Sequence, residues 1–180
     1  MPLRASVFIA TSIDGFISRK DGSIDWLNEA NAAVPPGEDC GYKEFSDSVD
    51  VLVMGRNTFE LVRTFEPWPY GDKRIVVLSS SLVEIPEALQ KSVSASSESP
   101  KALLARLEAE GVGHVYVDGG VTIQRFLAAG LIDAITITLI PVLLGEGRPL
   151  FGHLPHDLRL RPLRVKSYEF GFVQITYTTR

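Results

Sequence analysis

Cysteine is nearly absent from this chain. Cys40 stands alone, so no intrachain disulfide can form, and a reducing cytoplasm is the expected compartment. No histidine lies near it in sequence, which leaves a spectator thiol rather than a nucleophile. Long hydrophobic runs are also missing. Residues 139–144 are interrupted by Pro141 and are far too short to span a bilayer. The Met-Pro-Leu-Arg start has no signal-peptide plan. Positive charge is scarce: the net charge is −4 and no basic stripe appears, so nucleic acid is not an expected partner. The three histidines, His114, His153 and His156, have no Cys or Glu at metal-ligand spacing, and no metal site is expected. A G-x-S-x-G elbow and a P-loop lysine are both lacking, so nucleophilic and phosphoryl-transfer chemistry miss their parts.

What remains is ordinary globular material. The 180 residues are 45% hydrophobic and 22% charged, enough for one domain over residues 1–180 with a sizeable core. Strand-like and helix-like segments alternate. Residues 6–10, 50–54 and 74–78 read as short buried strands. Asp14-Gly15 and Asp21-Gly22 are turn signals around Phe16 and Ile17. Pro35-Pro36-Gly37 stops any helix begun after Trp26. Tyr42, Phe45 and Val49 have helical spacing. Asn57 and Glu60 suggest a capping box for a helix through Leu61 and Val62. The Ser-rich residues 92–99 read as a linker too short to part domains. Ser99 then caps a helix that opens on Pro100, carries Leu103, Leu104 and Leu107 on its apolar face, and ends at Gly111. Residues 133–140 alternate as a strand, and 165–168 with 172–178 suggest a hairpin through Gly171. The alternation predicts an α/β fold with a largely parallel sheet and a late antiparallel addition.

In such sheets ligands gather at the carboxyl ends of the strands. Three strand ends carry anion-seeking features. Gly55-Arg56 puts a guanidinium at the start of a helix, suited to phosphate. Ser79, Ser80 and Ser81 follow the third strand with small hydroxyl donors. Gly119-Gly120 follows a β-branched run and precedes an amphipathic helix. That glycine pair permits positive φ and close approach, and aims helix N–H groups at a bound anion. One ligand with several phosphates would use all three. A dinucleotide fits, because it carries its own reactive carbon and asks the protein for orientation and a dry pocket.

In order along the chain, Ser12-Ile-Asp-Gly-Phe-Ile17, Asp25-Trp26, Met54-Gly-Arg-Asn-Thr-Phe-Glu60, Val77-Leu-Ser-Ser80, Asp118-Gly-Gly120 and Pro141-Val-Leu-Leu-Gly-Glu-Gly147 resemble the dihydrofolate reductase-like superfamily. The nearer resemblance is to the C-terminal reductase domain of the bifunctional riboflavin-biosynthesis deaminase-reductase. It implies an α/β fold with a central mixed, mostly parallel sheet of about eight strands flanked by helices. It also implies an NADPH site. Ala10 and Ile17 match positions whose backbone holds the nicotinamide carboxamide. Gly55, Arg56 and Thr58 match the grip on the pyrophosphate and adenosine phosphate, and Arg56 would favour NADPH over NADH. Ser79 and Ser80 match the loop by the adenine ribose. Gly119, Gly120, Val121, Thr122 and Ile123 match the pyrophosphate turn. Relatives of this kind pair as homodimers, and residues 135–144 could help bury such an interface.

The chain departs from the named enzymes at two points. Folate reductases place a carboxylate shortly after the tryptophan, where this sequence has Asn31. The basic residues that would hold a sugar phosphate before the second strand reduce to Lys43. The leading expectation is an NADPH-dependent reductase of a small heterocyclic or carbonyl substrate. That substrate would lie under Trp26 and the 14–26 loop, with Asp14, Asp25 and Glu146 as proton-donor candidates. Two other readings stand beside it: a 5-amino-6-(5-phosphoribosylamino)uracil reductase, and a non-catalytic, dimeric nucleotide-binding protein.

Overall fold

Short apolar runs closed by glycine or serine become the inner strands of one sheet. The structure is a computed structural model and describes residues 2–179. The chain begins with β1 (Arg4–Ser12) and the short β2 (Phe16–Ser18). Two helices follow, α1 (Asp25–Asn31) and α2 (Tyr42–Asp47). Next come β3 (Val51–Gly55), α3 (Arg56–Val62), β4 (Arg74–Leu78) and β5 (Val93–Ser96). Then α4 (Pro100–Ala109), β6 (His114–Asp118), α5 (Gly120–Ala128) and β7 (Ala134–Ile140) alternate. The chain closes with β8 (Arg148–Pro149), β9 (Arg161–Ser167) and β10 (Val173–Thr178).

Eight strands form the main sheet in the order β5-β4-β3-β6-β1-β7-β10-β9. From β5 to β7 every pair is parallel. β10 pairs antiparallel with both β7 and β9. This matches the expected α/β sheet with its late antiparallel hairpin. Helices cover both faces, as a parallel sheet requires. On one face α4 and α5 bury Leu103, Leu107, Ile123 and Phe126 against Val51, Val53, Val115 and Val117. On the other, Phe59 and Val62 of α3 pack on Leu52, Met54, Ile75 and Val77. Side chains alternate along a strand, so Phe8 and Ala10 of β1 point away from Val7 and Ile9, toward α1 and α2.

Three sequence expectations need correction. Asn57 and Glu60 form no capping box. Gly55, in extended conformation, is the N-cap with no side-chain bond, and Asn57 already lies inside α3. The strand feeds the helix directly, which leaves no room for a capping turn. The Ser-rich stretch contains β5, an edge strand that pairs with β4 through its backbone. Strand β9 begins at Arg161, earlier than alternation suggested, because an exposed edge strand needs no apolar face. Within residues 135–144, Ile135, Ile137 and Ile140 of the inner strand β7 are buried in the chain's own core, whereas Leu143 beyond it is 71% exposed. Ser99 behaves as expected, its hydroxyl accepting from the Ala102 N–H at 3.3 Å with Pro100 at the helix start.

A small β2–β8 sheet closes over the first turn. Asp14 fastens it: its carboxylate accepts from the Ser12 hydroxyl at 2.6 Å and from the Leu144 and Gly145 N–H groups. This pins residues 141–147 beside the end of β1.

Candidate active site

Parallel pairing brings the carboxyl ends of β4, β3 and β6 side by side. The glycines there are spaces filled by neighbours. A β-carbon on Gly119, whose φ is +90°, would collide with the Thr58 hydroxyl. One on Gly55 would stand 2.7 Å from the Thr122 hydroxyl, and one on Gly120 would stand 2.8 Å from Ile17 Cδ1. Gly55, Thr58, Gly119, Gly120, Thr122 and Ile17 therefore form one contiguous patch. The first N–H groups of α5, at Gly120, Val121 and Thr122, have no intrahelical acceptors and carry the positive end of the helix dipole. Ile123 belongs to the core, while the Val121 side chain is 61% exposed.

Next to this patch lies a small cavity lined by Ser79, Ser80, Glu98, Thr122 and Arg125, among others. Glu98 is already committed. Arg106 binds it through Nε and Nη2, and the Ser96 hydroxyl donates to it at 2.7 Å. These partners, Arg106 first, hold its carboxyl below the usual range. Arg125 makes no ion pair among the described residues and is the cavity's unengaged cation. Arg56, the cation expected from sequence, sits at the start of α3, 3.5 Å from Glu60, with its side chain 42% exposed. Arg125 carries no sequence signal of its own, because it lies about a turn and a half into α5, just past the Gly119–Ile123 turn. Only its position on the α5 face toward Ser79 reveals it.

A larger cleft of about 530 Å³ opens on the opposite face, over β1 and β7 and under α1 and α2. Phe8, Ala10, Leu27, Tyr42, Thr138 and Phe172 supply much of its wall. Ala10 thus joins the expected nicotinamide position to this cleft. Asn31 also lines it, as the residue standing where folate reductases have a carboxylate. The Gln174 amide donates to Thr138 Oγ1 and to the Cys40 carbonyl, tying the sheet to the loop before α2.

Asp118 ends β6 on the same face. Burial pushes its carboxyl up from 3.8 to about 6, against the opposing effect of the Gly119 N–H that it accepts at 2.8 Å. Burial first, then the Asp118 charge, raises the Tyr42 phenol to about 12 and lifts Tyr70 and Tyr116 as well. A titratable acid next to phenols, between the glycine turn and the cleft, is where proton transfer is chemically feasible. The other carboxylates are occupied. Asp14 is lowered chiefly by the Ser12 hydroxyl and acts as a loop clamp. Asp25 is paired with Arg19 at 2.7 Å, which lowers it. Glu146 pairs with Lys20 at 2.5 Å on the surface. Trp26 is only 3% exposed and packs on Ile140, Tyr168 and Phe172. Its buried indole N–H has no hydrogen-bond partner among the described residues. His114 is a structural residue. It contacts the Ser48 carbonyl and Ser6 hydroxyl, and burial lowers its pKa.

Relatives resemble this chain over nearly its whole length. The uncharacterized Bacillus subtilis protein YwjB is 37% identical over 172 residues, covering 93% of this chain and 94% of its own. The crystal structure of a Shewanella sp. PV-4 protein named for riboflavin biosynthesis superposes with a TM-score of 0.91 at 40% identity, covering 98% of both chains. The Thermotoga maritima diaminohydroxyphosphoribosylaminopyrimidine deaminase/5-amino-6-(5-phosphoribosylamino)uracil reductase superposes with a TM-score of 0.75 at 14% identity, covering 98% of this chain but 56% of that one. That likeness shows the fold. The model of the RibD C-terminal domain matches residues 6–173, nearly the whole sheet with both clefts, and on that match the chain belongs to the RibD C-terminal domain family.

Proposed function

We propose that this protein is an NADPH-dependent reductase of a small heterocyclic or carbonyl compound. The observation that carries this reading is the glycine patch at the exits of β3 and β6, joined through Thr122 to the serine–arginine cavity, with the Ala10 cleft on the other face of the same sheet. The patch suits a diphosphate: its glycines let Thr58, Thr122 and Ile17 pack directly on the backbone, which brings the Thr58 and Thr122 hydroxyls beside the first-turn N–H groups of α5. Ser79, Ser80 and Arg125 would hold the adenosine phosphate, with Arg56 at the rim. Bound there, the cofactor would supply hydride to the substrate. The chain's own residues then have three tasks. The backbone near Ala10 and Ile17 orients the nicotinamide amide. Phe8, Leu27 and Phe172 keep the larger cleft dry. Asp118, with Tyr42 beside it, delivers or relays the proton that must follow hydride.

A titration of both cofactors tests the first part. NADPH is expected to bind at least tenfold more tightly than NADH, a difference of about 1.4 kcal/mol. Arg125→Ala should erase most of that preference, and Arg56→Ala less of it. Equal binding of the two cofactors to the wild type would refute the cavity's role. Loss of NADPH absorbance on adding pterins, pyrimidines or quinones tests turnover. Tight binding with no consumption across that panel would favour a nucleotide-binding protein instead. The family resemblance also leads us to propose a homodimer, checked by sedimentation.

A further inference from the structure

The charges around the larger cleft narrow what can enter it. Its wall offers rings and aliphatic groups, Phe8, Tyr42 and Phe172 among them, which suits a flat ring system. Its charged groups are all acceptors. Asn31, Glu38 and Asp39 line it, and none of its lining residues is Lys or Arg. Both carboxylates are held in place by the backbone. Glu38 accepts from the Cys40 N–H at 2.7 Å. Asp39 accepts from the Gly41 and Lys43 N–H groups at 2.9 and 2.8 Å, and those bonds keep it ionised by lowering its pKa. The nearby cations are engaged. Lys166 stands 4.0 Å from Glu38 and over the Tyr168 ring. Lys43 pairs with Asp47 at 2.6 Å. Lys73 is turned to the Ser46 and Val49 carbonyls. Two fixed carboxylates and no lining cation repel a phosphate and favour a ring with donor groups.

We infer that the larger cleft takes an unphosphorylated, neutral or cationic aromatic heterocycle bearing amino or imino donors, and that it discriminates against sugar-phosphate compounds. This names the substrate class for the proposed reductase. The binding claim itself is separable from hydride transfer. Family membership is unaffected; what differs is the ligand chemistry of the cleft.

Calorimetric titration with a matched pair of probes tests it. One is 5-amino-6-(5-phosphoribosylamino)uracil; the other is the same compound after phosphatase treatment. Titrations are run on the full chain, with and without NADPH. The dephosphorylated probe is expected to bind at least tenfold more tightly. Added salt should improve binding of the phosphorylated probe and leave the other unchanged, because screening weakens repulsion. Glu38→Gln keeps an acceptor for the Cys40 N–H, so the loop persists. It should shrink the discrimination at least threefold. Binding of the phosphorylated probe as tight as or tighter than its partner would overturn the inference, as would millimolar or weaker binding of both. Failure of the cofactor reading shows separately, as absence of NADPH binding with neither probe present.

Discussion

Asp118 and Gly119 occupy adjacent positions under different constraints. Gly119 must hold φ at +90° against Thr58, a conformation that only glycine adopts without strain. Asp118 keeps a carboxyl where a neutral group would be cheaper. Its folded pKa, about 6, lies above its ordinary 3.8. Between those values the folded state holds more protons than the unfolded one, so stability falls as pH rises through that window. Asp118→Asn retains an oxygen to accept the Gly119 N–H and removes the titration. The variant should match wild type near pH 4 and exceed it by about 1–3 kcal/mol above pH 7, from about two units at 1.36 kcal/mol each with allowance for solvent contact. Urea denaturation at both pH values checks this. A constant difference across the range would show that Asp118 is not the group that titrates. The same variant should lose turnover if Asp118 moves the proton.

At the scale of elements, the parts legible in the sequence are those whose side chains had no choice. Strands β3, β4 and β6 are buried on both faces, so they appear as unbroken apolar runs, and their glycine or serine exits mark the junctions proposed to hold the cofactor. The α4 cap was legible too, because Ser99-Pro100 satisfies two end conditions at once. Ser99→Ala should cost about 1 kcal/mol, visible as a lower urea midpoint with an unchanged m-value. A loss within 0.3 kcal/mol or so of zero would mean that water replaces the hydroxyl. Strand β5 was illegible because its role lies in backbone pairing. Only Val93 is buried there, and three serines or alanines complete the strand. The hidden partner of the site, Arg125, has the same cause. Its significance comes from packing α5 beside β4, a tertiary relation that no local spacing encodes. The larger cleft is built from β1, β7, α1, α2 and the loop between those helices; the sequence showed the Tyr42 helix and the prolines of the loop, but not that they close over β1.

Across the whole molecule, the two clefts lie on opposite faces of one sheet, one at the exit of β4 and the other over β1 and β7, with the ends of β3, β6 and β1 ranged between them. The strand order changes direction there: β6 returns from the far side to sit beside β1, and β7 follows on its other flank. Crevices at such reversals are where parallel sheets place ligands. A ligand in the crevice is held by β3, β4 and β6 together, so it must stabilise the fold as a unit. At a concentration one hundred times its Kd, NADPH should add about 2.7 kcal/mol. For a domain of this size that corresponds to a rise in Tm of about 5–11 °C. NADH at the same concentration, bound tenfold more weakly, should add only about 1.4 kcal/mol and shift Tm by about 3–6 °C. Thermal unfolding in the two cofactors therefore reads site and selectivity in one experiment. Equal shifts would remove the phosphate-selective role from the Ser79–Arg125 cavity, and no shift with either would remove the cofactor from the crevice. Repeating the scan with Arg125→Ala separates the effects, because that change should bring the NADPH shift down toward the NADH value while leaving unliganded Tm near wild type.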